Sequence, residues 1–281
     1  MPFPILPGQV QPFTRLTVSY LHAGGATVSW ELQRHFIDPT PYTFQLQVGH
    51  TADQAAADWV DVGAPVIDTF FTVDPTKRMF GSEQELHYRV ELTTSVDTYL
   101  SEPFNTLGAL SKRDWLHARE ILRKEQLRHR IQTSSNGFLL KAIRYGPVCT
   151  DCTDPLTGEV NNSHCGSCFG TGKEGGYFRP LAASFADLST SSAREHINPQ
   201  TATTMENVVQ GRFVADPQLY SYDVWVDESG DARYYIHKVD VAAHIRGVPI
   251  IYNVEMRIAQ FSDIIYTYPM VPSVPPEPRH P

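Results

Sequence analysis

Between residues 13 and 100 apolar side chains recur at every second position, interrupted by short polar turns. Leu16, Val18 and Tyr20 form the first set, and Val28, Trp30 and Leu32 the second; Tyr42, Phe44, Leu46 and Val48 form the third. The run Val66 to Val73, then Tyr88, Val90 and Leu92, then Val96 to Leu100 complete the series. Alternation with a period of two gives each strand one face to bury. For a segment of this length the economical solution is a pair of antiparallel sheets packed as a sandwich. Gly24-Gly25 and Asp38-Pro39-Thr40-Pro41 supply the first two turns.

The period changes after residue 110. Ser111-Lys112-Arg113-Asp114 has the form of a capping box, in which the Ser111 hydroxyl accepts from the N–H three residues on and Asp114 reaches back. Trp115, Ala118, Ile121, Leu122, Gln126, Leu127 and Ile131 predict a narrow apolar stripe on the helix that follows. Its end is expected near Ser134-Ser135-Asn136-Gly137, with Asn and Gly permitting a left-handed cap. Phe138 to Tyr145 then reads as a strand or an apolar lead-in.

From Gly176 to about Val214 the pattern is weak, with one short helix expected near Ala186. It sharpens at Tyr220-Tyr222-Val224-Val226, read as a strand that turns at Asp227 to Asp231 and returns as Tyr234-Ile236-Lys238. Arg246 to Pro249 is the next turn, and Pro249 to Ile258 a long final strand. Parity along the chain places Tyr220, Tyr222, Tyr234 and Tyr252 on one face, with Trp225 and Tyr235 on the other. Two apolar faces in one β region imply a closed barrel or an interface with another subunit. The whole is therefore mainly β: an arm (1–12), a sandwich (13–104), a helix and linking strand (105–148), a module at 149–180, an antiparallel β domain or barrel (181–268) and a tail (269–281). The tail, with Pro272, Pro275, Pro276, Pro278 and Pro281, reads as extended chain.

Trp30 and Tyr88-Arg89-Val90 stand where a fibronectin type III module carries its core tryptophan and its tyrosine-bearing late strand, and residues 10–100 resemble that module. The resemblance implies a domain that displays, spaces or binds rather than one that catalyses.

Chemistry enters with the cysteines. All four lie in one stretch of twenty residues as Cys149-x2-Cys152-x12-Cys165-x2-Cys168. Two C-x2-C turns each bring a pair of sulfurs to one ion, so the spacing predicts a closed tetrathiolate site for Zn²⁺. The spacer contains Asp154-Pro155, Gly158 and Asn161-Asn162, turn formers with little to bury, so metal would supply on the order of 10 kcal/mol or more of the folding energy. Two disulfides are the competing reading of the same residues; they belong to secreted chains, and no signal peptide is expected from the start Met-Pro-Phe-Pro-Ile. Four thiolates would leave no position for substrate or water, which disfavours a catalytic metal. His164 beside Cys165 is read as a loop imidazole.

Composition narrows the rest. The chain has 281 residues, 31 acidic against 23 basic, for a net charge of −8, which disfavours a general nucleic-acid coat. A local contact stays open, because Lys112, Arg113, Arg119, Arg123, Lys124, Arg128 and Arg130 fall in one helix; a solvated or subunit-facing helix is the preferred reading. His117 and His129 are taken as surface residues of that helix. No run approaches a membrane-spanning length. Phosphate-loop, dinucleotide-loop and H-E-x-x-H strings do not occur. Asp53, Asp58 and Asp61, and Asp223 and Asp227, read as solvated charges at turns and strand edges, and His237 and His244 as strand residues without a metal motif. No enzymatic activity is expected.

Three features together resemble structural proteins of tailed bacteriophage particles. They are the cysteine pairs with Gly170-Thr171-Gly172 and Gly175-Gly176-Tyr177, the strand pair Tyr222 to Val226 with Arg233 to His237, and the closing run Ile245 to Pro249 through Phe261 to Tyr266. The resemblance covers residues 111–268. It implies a multi-copy ring or collar subunit of the neck or head-to-tail connection, or a baseplate subunit. Such a subunit would be assembled in the host cytoplasm and contact copies of itself and portal, connector, tail or baseplate neighbours. A zinc elbow would then set the angle between two β bodies. A zinc-ribbon module binding nucleic acid or a partner is the alternative from another class.

Overall fold

A computed structural model describes residues 11–19, 26–76, 86–105, 112–133, 135–154, 157, 159–187, 208–215, 217–246 and 248–270. The Gly24-Gly25 turn, the Ser111 cap, most of the N-terminal arm and the tail beyond Met270 lie outside the described residues. The chain forms two compact units: Met1–Leu116 with Arg144–Cys149, and His117–Ile143 with Thr150–Pro281.

In the first unit, β1 (Phe13–Ser19), β2 (Ala26–Leu32) and β5 (Phe71–Asp74) form a sheet in the order β1-β2-β5. A second sheet runs β4-β3-β6-β7 from Val60–Ile67, Thr43–Gly49, His87–Thr93 and Thr98–Leu100, and β8 (Phe104–Asn105) also pairs with β6. All pairings are antiparallel. The expected strand from Val66 to Val73 is in fact two strands in different sheets. Asp68 turns the chain between them at φ 47°, and its carboxylate accepts the Tyr42 N–H at 2.8 Å. Val28, Trp30 and Leu32 face Phe44, Leu46, Tyr88 and Leu92 in a common core, with the Trp30 and Phe44 ring centroids 4.8 Å apart. The Tyr88 hydroxyl donates to the buried Asp74 carboxylate at 3.1 Å, tying β6 to β5. Segment 144–149 packs on this unit: Gly146 N–H donates to the Phe36 carbonyl at 2.8 Å, and Tyr145 lies 6.1 Å from Tyr42.

The helix α1 (Lys112–Leu127) continues as a π-helical turn over Arg128–Thr133. Asn136 and Gly137 do not cap it; they belong to β9 (Ser135–Leu140). Gly137 is required by close approach rather than by a turn, since a Cβ there would meet the Val226 carbonyl oxygen at 2.1 Å.

The second unit is a closed six-stranded barrel, ordered β10-β11-β14-β13-β12-β9. Its other strands are β10 (Leu181–Asp187), β11 (Val208–Val214), β12 (Val224–Asp227), β13 (Arg233–Ile245) and β14 (Val248–Ile258). Ala186 therefore lies in a strand and not in a short helix. Leu181, Ala183 and Phe185 alternate toward the interior, a pattern disguised by the small residues between them. The interior draws on every strand: Leu139, Phe185, Phe213, Trp225, Ile236 and Tyr252.

The register corrects the expected aromatic faces. Trp225 stands opposite Tyr234, so both join Tyr252 inside, while Tyr235 stands opposite Val224 on the outer wall. The strand expected from Tyr220 starts only at Val224, because Tyr222 takes a left-handed turn at φ 74° and is 74 % exposed.

Candidate metal centre

Two short stretches of the second unit form the stem of the cysteine module. Ala142 bridges to Tyr177, Ile143 N–H donates to the Gly176 carbonyl at 2.9 Å, and Phe178 N–H donates to the Lys141 carbonyl at 2.9 Å. Within the module each C-x2-C pair is a tight turn. Asn161 N–H donates to the Cys152 carbonyl at 2.7 Å, and Phe169 N–H to the Cys165 carbonyl at 2.8 Å. Thr153 bridges to Val160, closing the spacer as a small hairpin. Gly176, at φ 69°, must be glycine: any Cβ would lie 2.6 Å from the Cys168 carbonyl oxygen.

These turns bring Cys149, Cys152, Cys165 and Cys168 together. All four are buried, and their sulfurs lie within 4.8 Å of one another. A tetrahedron with metal–sulfur bonds of 2.3 Å has edges of about 3.8 Å, so one ion fits among them. No disulfide joins these four cysteines, and the 3.2 Å between the Cys152 and Cys168 sulfurs is well beyond the roughly 2.05 Å of one. Four thiols gathered in a loop with almost no apolar side chains have no packing reason to converge, and the donor set suits a soft or borderline cation. The predicted ligands are thus brought together. His164 is exposed, with its Nδ1 3.2 Å from the Ser163 hydroxyl, and is not among them.

The module sits on the outer barrel wall. Phe169 and Tyr177 pack against Tyr268 with centroids 5.0 and 5.7 Å apart, and the Tyr268 hydroxyl donates to the Tyr177 carbonyl at 3.0 Å. Leu140, Ala142, Val224, Val226 and Ile265 complete this second apolar layer. Burial pushes the Tyr177 phenol far above its ordinary range and raises Tyr268 as well, so both remain neutral.

A buried ion pair beside the stem was not foreseen. Asp223 is fully buried rather than solvated. Its carboxylate accepts from Ala142 N–H at 3.0 Å, from Tyr220 N–H at 2.9 Å and from Lys141 Nζ at 3.4 Å. Lys141 Nζ also donates to the Gln218 carbonyl at 2.5 Å and lies 4.4 Å from the Tyr220 ring centroid. Every one of these contacts serves to close the barrel at the loop before β12. The signal available in sequence was a lysine inside the apolar run Phe138 to Ile143.

The remaining candidates do not assemble into a reactive group. Asp53, Asp58 and Asp61 are exposed and accept from nearby groups, Asp58 from His50 N–H and Asp61 from Gln47 Nε2. Asp227 accepts the Ser229 hydroxyl in its turn, and His237 and His244 are exposed on β13. His117 of α1 is exposed as expected, whereas His129, in the π-helical turn that packs on β9 and β10, is 1 % exposed. No helix among the described residues is long and apolar enough to cross a membrane.

Comparison of the chain with protein-family models, curated proteins and solved structures gave no match in any of the three.

Proposed function

We propose that this protein is a non-enzymatic structural subunit of a tailed phage particle, present in several copies as a ring or collar at the neck or head-to-tail connection. One observation carries the reading: a closed four-thiolate cage, with no coordination position left for chemistry, is spent on holding a loop to the outside of a barrel. The ion is Zn²⁺, which needs no redox partner and takes four thiolates tetrahedrally. The N-terminal unit is a fibronectin type III-like module, a reading supported by its sheets of β1-β2-β5 and β4-β3-β6-β7 around Trp30 and Tyr88. The likeness in layout over residues 111–268 supplies the phage assignment.

The exposed side chains of Arg123 and Lys124 favour a second reading, a zinc-bearing module that contacts nucleic acid. Electron microscopy of the purified full-length chain, with metal analysis on the same sample, separates the two. Rings with about one zinc per chain and no affinity for duplex DNA are the expected result. A metal-free chain, or a monomer that binds DNA in a salt-sensitive way, would overturn the proposal.

A further inference from the structure

Tyr222 is left-handed, exposed and firmly anchored. Its backbone sits at φ 74°, a conformation that a tyrosine adopts only when its surroundings impose it. Its side chain is 74 % exposed, so burial of the ring does not account for the strain. The backbone is fixed on both sides of the turn. Tyr222 N–H donates to the Ile236 carbonyl at 2.8 Å, Ile236 N–H to the Asp223 carbonyl at 2.8 Å, and the Ser221 hydroxyl to the His237 carbonyl at 3.0 Å. The fully buried Asp223, next in the chain, also accepts Tyr220 N–H. The turn therefore presents one tyrosine ring to the outside from a rigid mount.

That residue borders an open cavity of about 440 Å³, lined by Ser221, Tyr222, Tyr235, Ile236, His237 and Arg257. The volume falls in the range of small-ligand sites. Register accounts for the lining: Tyr235 of β13 stands opposite Arg257 of β14, so the two share the outer side of the barrel wall. Two tyrosine rings supply flat apolar walls, while the Arg257 guanidinium and the His237 imidazole supply N–H donors. The carboxylate nearest Tyr235 is already engaged, since Asp263 accepts the Tyr235 hydroxyl at 3.0 Å and Ile265 N–H at 3.0 Å. Burial, followed by the charge of Asp263, raises the Tyr235 phenol above its ordinary range, so it stays a neutral donor to that carboxylate. Lys238, next to His237, pairs with Asp240 at 2.6 Å and does not line the cavity. Among the described residues the lining thus carries an arginine and a histidine and no acidic side chain.

We infer that this cavity binds a small planar ligand bearing an oxyanion, a carboxylate or a phosphate, with Tyr222 and Tyr235 against the ring and Arg257 and His237 at the charged end. A guanidinium suits that role because its parallel N–H groups match two oxygens of either anion. The strained turn holds its flat wall in place before the ligand arrives, which lowers the ordering cost of binding. All six lining residues belong to the second unit, so the site needs no second copy and does not depend on the ring-subunit reading.

Titration of the full-length protein, followed by amide shifts in two-dimensional NMR, tests it with phenyl phosphate, benzoate and the neutral benzyl alcohol as probes. The two anions should shift residues 220–222, 235–237 and 257 with dissociation constants of about 1 mM or below, and the tighter of them identifies the oxyanion. Benzyl alcohol should bind at least about tenfold more weakly. Arg257→Gln and Tyr222→Gly should each weaken the better anion at least about tenfold, whereas Lys238→Gln, which removes a neighbouring cation outside the cavity, should leave it unchanged. Because glycine adopts φ 74° without strain, Tyr222→Gly should unfold at a urea midpoint close to or above that of wild type, which separates lost binding from lost fold even where Arg257→Gln does not fold. Equal binding of the alcohol, an unaltered titration of Tyr222→Gly, or an effect of Lys238→Gln as large as that of Arg257→Gln would overturn the site. So would amide shifts confined to other residues, or none up to roughly 10 mM probe.

Discussion

Two glycines show how tightly single positions are constrained in this molecule. Beside Gly137 the Trp225 ring and the Val226 carbonyl leave no space for a methyl group, and Gly211 is similarly pressed by the Phe185 ring, 2.6 Å from where a Cβ would stand. At Gly137 the nearest obstacle is backbone, which cannot swing aside. Gly137→Ala is therefore expected to cost about 3 kcal/mol, seen as a lower urea midpoint at unchanged slope. An unaltered midpoint would mean that β9 and β12 can part without loss. Neither glycine announces its role in sequence: Gly137 follows Ser-Ser-Asn, a string that reads as a helix cap, and only the register Gly137 to Asp227 reveals the close approach.

Among the elements, the join of α1 to the barrel is the one with a titratable core. His129 approaches Glu125 at 3.5 Å and is hydrogen-bonded with the backbone at Ser184, while Arg212 of β11 reaches Glu125 at 3.7 Å. Burial lowers the His129 pKa, against the opposing pull of Glu125. The unfolded chain takes up this proton near pH 6.5, before the folded protein does. Stability from this site is therefore complete above about pH 6.5 and declines as pH falls toward the depressed folded value, at no more than about 1.4 kcal/mol per pH unit. Urea unfolding from pH 7.5 to 5 should show that slope in wild type and a flatter profile in His129→Gln; parallel profiles would assign the dependence to other groups. This join was legible by periodicity but not by residue type. Extrapolated at 3.6 residues per turn, His129 falls on the face of Ala118 and Leu122 and Ile131 on the opposite side, as observed, whereas polarity alone suggested the reverse. The sandwich strands were legible because alternation is local, and the cysteine site because all its ligands lie within twenty residues. The Lys141–Asp223 pair, 82 positions apart in the chain, gives no such local signal.

For the molecule as a whole, the consequential question is what an ion held by the four cysteines would support beyond its own loop. The module contributes Phe169 and Tyr177 to the apolar layer over Leu140, Val224 and Val226, the outward residues of β9 and β12. The sandwich has a separate core built on Trp30, Phe44 and Tyr88. If the four cysteines hold an ion as proposed, its removal withdraws on the order of 10 kcal/mol of folding energy from the loop, which then opens and uncovers that layer. Hydrogen exchange after chelation should then show lost protection in residues 149–178 and weakened protection in β9 and β12, with β2, β3 and β6 unchanged. Cys165→Ser should reproduce the same map without chelator. Uniform protection in both experiments would show that the thiols are packed for shape alone, and would remove the metal from any account of how this protein keeps its form.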